Sequence, residues 1–186
     1  MTMPPNDSHM SRPDASHSRQ SSLRARILEH IFIGELGRAL WCAGIRDFEV
    51  LRSEVDASGH DLVIECSGIM RHVQLKSSFA HSNTRSVDIS LKLANKPSGC
   101  VIWLEFDEQS LRLGPYRWFG AEPRQPLPAL GDKISRHTRG RTTGADPQRP
   151  LRPAHRVLRK AQFRTFDSIE PLVEAMFGHC ASSSSV

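Results

Sequence analysis

The sequence predicts a small α/β domain, with a mixed central β-sheet flanked by helices. Three observations carry that expectation. Apolar residues recur at helical spacing from Leu23 through Ile27, Ile31, Leu36 and Leu40. Short runs rich in β-branched residues follow, punctuated by turns that contain glycine. The run GCVIWLEFD is almost wholly apolar and has strand length, as expected of a strand buried on both faces. A chain of 186 residues accommodates one domain with a real core and is too short for two ordinary ones.

The first helix is predicted over about 22–43. Ser21 or Ser22 caps its start, and Gly44 ends it. Gly34 and Gly37 inside it leave room for a close neighbour. RDFEVLRSEVD suggests a strand, ASGH a turn, and DLVIEC a second strand. Ser67-Gly68 signals a tight turn into a third strand, IMRHVQLKSS. VDISLKLANK reads as a short helix closed by Lys96-Pro97, though its alternation also allows a strand. GCVIWLEFD then forms the central strand and LRLGPYRWF its antiparallel neighbour. Region 121–155, rich in Pro, Arg and Gly, reads as a long basic loop. RVLRKAQFRTF holds a short strand. A last helix, DSIEPLVEAMFG, has Asp167 or Ser168 as cap, Pro171 in its first turn and Gly178 at its end. The expected order is α-β-β-β-α-β-β-loop-α, in one domain over 22–178. Residues 1–21 and 179–186 are poor in large apolar side chains and are expected to be disordered.

No stretch is apolar for long enough to span a bilayer, and the first residues lack the apolar core of a secretory signal. The expected setting is cytoplasmic, with no membrane partner. Cys42, Cys66, Cys100 and Cys180 form no CxxC pair and are expected to be reduced structural thiols. The net charge is +5, unevenly distributed. From Arg112 to Arg164 there are 13 Lys and Arg against 3 Asp and Glu. That surplus points to a polyanionic partner, nucleic acid first, or else to a solvated surface. Arg136, His137, Arg139 and Arg141, with Arg159 and Lys160, are the candidate phosphate contacts. Tyr116, Trp118 and Phe119 could stack on bases, whereas Trp103 reads as core.

The sharpest chemical feature is Asp61, followed by the triplet Gln74-Leu75-Lys76 on the next strand. Gln74 and Lys76 are two apart and share a face, while Leu75 turns to the other and anchors in the core. Phosphodiester hydrolysis needs a hard divalent cation, an activated water and a charge stabiliser. Asp61 offers carboxylate oxygen, Gln74 an amide oxygen, and Leu75 a backbone carbonyl. Lys76 can position water or stabilise the transition state. Ser77 and Ser78 can bond phosphate or simply end the strand. Glu65 shares the face of Asp61 and reads as polar filler.

Asp61 and Gln74-Leu75-Lys76, on their predicted hairpin, resemble the PD-(D/E)xK, restriction-endonuclease-like nucleases. The resemblance covers about residues 23–106, where the predicted α-β-β-β-α-β order is similar to that family's core. It implies a Mg²⁺- (or Mn²⁺-) dependent deoxyribonuclease acting on DNA, and leaves a homodimer open. It also implies a further acidic ligand on the first helix, with Glu35 the candidate and Glu29 in reserve. Gln74 stands where the family more often has Asp or Glu, which removes a negative charge from the metal site. The alternatives are a catalytically inactive nucleic-acid-binding domain on the same fold, and a structural or protein-interaction domain.

Overall fold

A computed structural model describes residues 14–53, 59–137 and 149–178. Helix α1 (Asp14–Cys42) buries Leu28, Phe32, Leu36, Ala39 and Leu40. Its apolar stripe therefore differs from the predicted one at its start. Leu23 and Ile27 face solvent, and Leu28 and Phe32 point inward instead. The two rows are about 100° apart on the helix, and periodicity alone does not choose between them. The helix also begins earlier than expected, so residues 14–21 are helical and Ser21 and Ser22 are not its cap. Once a helix is nucleated, each further turn of ordinary residues is cheap to add. Its C-terminus closes as foreseen. Gly44 has a φ of 81°, its N–H donates to Trp41 O, and the Ile45 N–H donates to Leu40 O. This pair of bonds is a Schellman closure, and buried Ile45 supplies its apolar contact.

Strands β1 (Phe48–Arg52), β2 (Leu62–Cys66) and β3 (Ile69–Phe79) form an antiparallel meander. The β2–β3 turn is two residues, Ser67 and Gly68, both with positive φ (49° and 74°). That geometry matches the twist of the flanking strands. β5 (Gly99–Phe106) runs parallel to β3, with β4 (Ser86–Ser90) and α2 (Leu91–Ala94) in the crossover. β6 (Leu113–Gly120) pairs antiparallel with β5. After β7 (Ile134–Arg136) and β8 (Leu151–Arg159), β9 (Arg164–Phe166) completes the main sheet beside β6. The six strands lie in the order β1-β2-β3-β5-β6-β9. A second sheet has the order β4-β8-β7. Helix α3 (Ile169–Phe177) ends the described chain.

The main sheet is covered on both faces. On one, α1 and α3 pack Phe32, Leu36, Leu172 and Met176 against Leu62, Val73, Ile102 and Trp118. On the other, Ile89, Leu93, Leu158 and Phe163 pack on Val101, Trp103 and Phe119. All eight residues of β5 are buried, which accounts for its apolar run. Each fully buried large apolar side chain contributes about 1.5–3 kcal/mol. Arg71 is fully buried on β3 beneath α3. Its Nε donates to Met176 O (2.6 Å) and its Nη2 to Ala121 O (3.0 Å), binding the last turn of α3 to the sheet. Burial lowers the pKa of this guanidinium from its ordinary value.

Three other expectations change. VDISLKLANK is both strand and helix, with the switch at Ser90-Leu91. Region 121–155 is not one loop, since β7 and the first half of β8 lie within it. The reason is long-range pairing, such as Val87 with Leu158. Pro153, one of the prolines of that region, sits where the register jumps. Consecutive Ile134 and Ser135 face Arg156 and Arg152, so Pro153 owes the β7–β8 ladder no N–H. Finally, Cys66 and Cys100 are buried, but Cys42 is exposed. Among the described residues no helix is long and apolar enough to cross a membrane.

Candidate functional site

β3 outruns β2. The pairing ends at Leu62 opposite Val73, yet β3 continues to Phe79. Beyond that point the N–H of Leu75 has no β2 carbonyl to meet. The Asp61 carboxylate takes its place, with Oδ2 accepting from Leu75 N at 2.6 Å. Asp61 is itself fixed through its backbone. Its N–H donates to Val73 O (2.8 Å) and its carbonyl accepts from Ser53 N (3.0 Å). The carboxylate is thereby aimed by three strands.

The space left beside β3 is a cleft of about 600 Å³ between α1 and the sheet. Asp61, Leu75, Lys76 and Ser77 line one side, Glu29 and Arg26 line the other, and Leu28 and Leu104 are its apolar floor. Glu29 Oε1 lies 2.6 Å from Arg52 Nε, which holds the carboxylate in place across α1 and β1. Leu75 is half-buried and packs on the α1 side of the sheet, as its alternation required. Asp61, Glu29 and Lys76 thus all line one open site.

Two predicted members are elsewhere. Glu35 accepts a hydrogen bond from the Tyr116 hydroxyl. Burial, and then this bond, push the Tyr116 phenol far above its ordinary pKa. Glu35 lies about 9 Å further along the helix axis than Glu29 and does not line the cleft. The carboxylate that α1 brings to Asp61 is Glu29. Gln74, only 6% exposed, faces the second core. Its Oε1 accepts from Ser90 N at 3.3 Å, beside the Ser90 cap of α2. Among the described residues no three His, Cys, Asp or Glu side chains form a metal-binding cluster.

The predicted phosphate contacts divide similarly. Arg136 and His137 are exposed at the end of β7, tied to the chain at Arg149 and Pro150. Arg159 is exposed at the end of β8. Arg139 and Arg141 lie outside the described residues, as does Cys180. Lys160 is committed elsewhere, with its Nζ 2.6 Å from Glu105 Oε1. Arg117 Nε also donates to Glu105 Oε1, and Arg117 Nη1 donates to Thr165 Oγ1. Glu105 is 3% exposed. Its role was readable in principle, since a carboxylate inside an otherwise apolar strand must be paired. Tyr116 and Trp118 are core residues, and Phe119 packs in the second core. They offer no stacking platform.

No family model and no curated protein matches the sequence.

Proposed function

We propose that the cleft between α1 and β3 hydrolyses phosphodiester bonds of nucleic acid, DNA by preference, in the manner of the PD-(D/E)xK nucleases. The observation that carries this reading is that Asp61, Glu29 and Lys76 line one open cleft. The order of elements supports it. A helix precedes an antiparallel meander, and a crossover containing α2 returns to a strand parallel to β3. The exposed Arg136 and Arg159 supply positive charge that suits a phosphate backbone, with His137 beside Arg136 as a further hydrogen-bonding group.

The donor set fits a hard divalent ion. Mg²⁺ (or Mn²⁺) takes oxygen ligands and is commonly held by one or two carboxylates together with substrate phosphate. Asp61 and Glu29 would hold it. When bound, such an ion polarises the phosphoryl oxygens and lowers the pKa of bound water. The remaining work belongs to side chains of this chain. The Leu75 amide fixes one Asp61 oxygen at the wall of the cleft. Arg52 orients Glu29. The Lys76 ammonium stabilises negative charge as it grows on the attacked phosphate. The apolar floor of Leu28 and Leu104 strengthens these interactions by limiting water beneath them.

A second reading is a nucleic-acid-binding domain without catalysis. It is favoured by one observation, the commitment of Gln74 to Ser90, which leaves two carboxylates in the cleft. Nicking of supercoiled plasmid with Mg²⁺ or Mn²⁺ separates the two. Cleavage is expected, and is expected to be lost in Lys76→Ala and Glu29→Gln. Glu35→Gln should fall much less than Glu29→Gln. Nicking that survives Lys76→Ala and Glu29→Gln together would remove the assigned site.

A further inference from the structure

A second hollow, of about 250 Å³, adjoins the cleft and shares Ala25 and Ser77 with it. It lies where β3 and β5 end, against the preceding turns of α1. Its polar side chains are Ser21, Arg24, Ser77, Ser82 and Thr84, while Ser78 turns to the second core and accepts from Trp103 Nε1. No carboxylate lines it among the described residues. Its chemistry is therefore opposite to that of the cleft, where two carboxylates gather. Hydroxyl donors around one guanidinium, with no acid present, recognise a tetrahedral oxyanion. Arg24 is preorganised for that. Its Cζ sits 4.9 Å from the Phe79 ring centroid and 5.9 Å from that of Phe106. Stacked on these rings, the guanidinium keeps its edge donors for a ligand, and among the described residues no carboxylate lies within ion-pair distance of it.

We propose that this hollow is an anion subsite seating the phosphate next to the scissile one, on a strand threaded along α1 past the ends of β3 and β5. The assignment rests on the nuclease reading for its neighbour, but not for its own ligand. Arg24 and Glu29 are five residues apart, about 7.5 Å along the helix axis. That is the scale of the step between successive phosphates of one strand. The subsite explains why a nuclease cleft would carry hydroxyls beyond Lys76. It also makes the substrate an extended strand rather than a single nucleotide.

The test is titration of the full chain with inorganic phosphate, in EDTA, by isothermal calorimetry. Saturable binding is expected, weakened about tenfold or more by Arg24→Gln. A second variant, Ser82→Ala with Thr84→Val, leaves α1 untouched and should weaken binding about threefold. Oligonucleotide affinity should lose about one unit of salt slope in Arg24→Gln. Oligonucleotides with and without a terminal phosphate should bind equally, because the seated phosphate is internal. A tenfold gain from a terminal phosphate would overturn the threaded strand. Phosphate binding that is absent, or identical in wild type and both variants, would overturn the subsite even if plasmid is nicked. Phosphate binding lost in Arg24→Gln without any nicking would keep the subsite and remove the nuclease reading.

Discussion

Two charged centres lie on either side of Leu104, and they are built for opposite ends. At Glu105 the carboxylate is buried in β5 and answered by Arg117 and Lys160. At Asp61 it sits at the end of a short strand, holds one backbone amide, and faces an open cleft. The first centre is saturated and can only stabilise the fold. The second is oriented and opens onto a cleft, which is the condition for meeting a ligand. Charge in a sequence can act on a ligand where the fold sets it at the wall of an open cleft.

The contrast can be broken by exchanging the expected losses. The largest effect is expected from Asp61→Asn, which keeps an oxygen for Leu75 N–H but removes the charge. Plasmid nicking should fall on the order of 10³-fold, while thermal unfolding shifts little. Glu105→Ala should do the reverse. It leaves two half-buried cations without their buried carboxylate and should cost about 3 kcal/mol, seen as a melting temperature lower by roughly 6–12 °C. If Glu105→Ala unfolds no more easily than wild type, the saturated centre is not what it has been taken for.

Lys160 and Arg159 sharpen the same distinction between neighbours. Lys160→Met should lower stability by about 1 kcal/mol, with the salt dependence of DNA binding unchanged. Arg159→Ala should leave stability alone and reduce the salt slope by about one. Fluorescence anisotropy across a salt series reads both.

The smallest effect concerns Cys100. Burial pushes its thiol up to about 12, against the opposing pull of the Arg71 charge. The fold therefore holds the neutral thiol, whereas the unfolded chain releases the proton near 9.0. The stability tied to this group is complete below pH 9 and lost as pH rises toward 12. Denaturant midpoints of Cys100→Ala should fall less steeply over that window than those of wild type.

Much of the main sheet was legible because it rests on local signals. Ser67-Gly68 names its turn, Gly44 its helix end, and β5 its double burial. The second sheet was not, since Val87 meets Leu158 only through the finished fold and Pro153 and the arginines hide the alternation of β8. The site was legible in half. Asp61 and Lys76 share the cleft, but Glu29 rather than Glu35 joins them. That choice depends on the rotation of α1, which two adjacent apolar rows left undecided. Gln74 shares its strand face with Lys76, but the crossover covers it with Ser90, a contact that strand periodicity cannot show.

The double burial of β5 also sets terms for how the chain is made. Its coverings come from both ends of the sequence. Leu36 and Leu40 emerge early, but Leu158 and Phe163 on one face, and Leu172 and Met176 on the other, emerge last. During synthesis Leu36, Leu40, Ile89 and Leu93 precede this eight-residue strand, but the rest of both coverings waits for some fifty residues to follow it. Such a segment is a ready template for association between nascent copies. Glu105 interrupts that template with a charge until Arg117 and Lys160 arrive to take it, so the same carboxylate guards the growing chain before it braces the finished one.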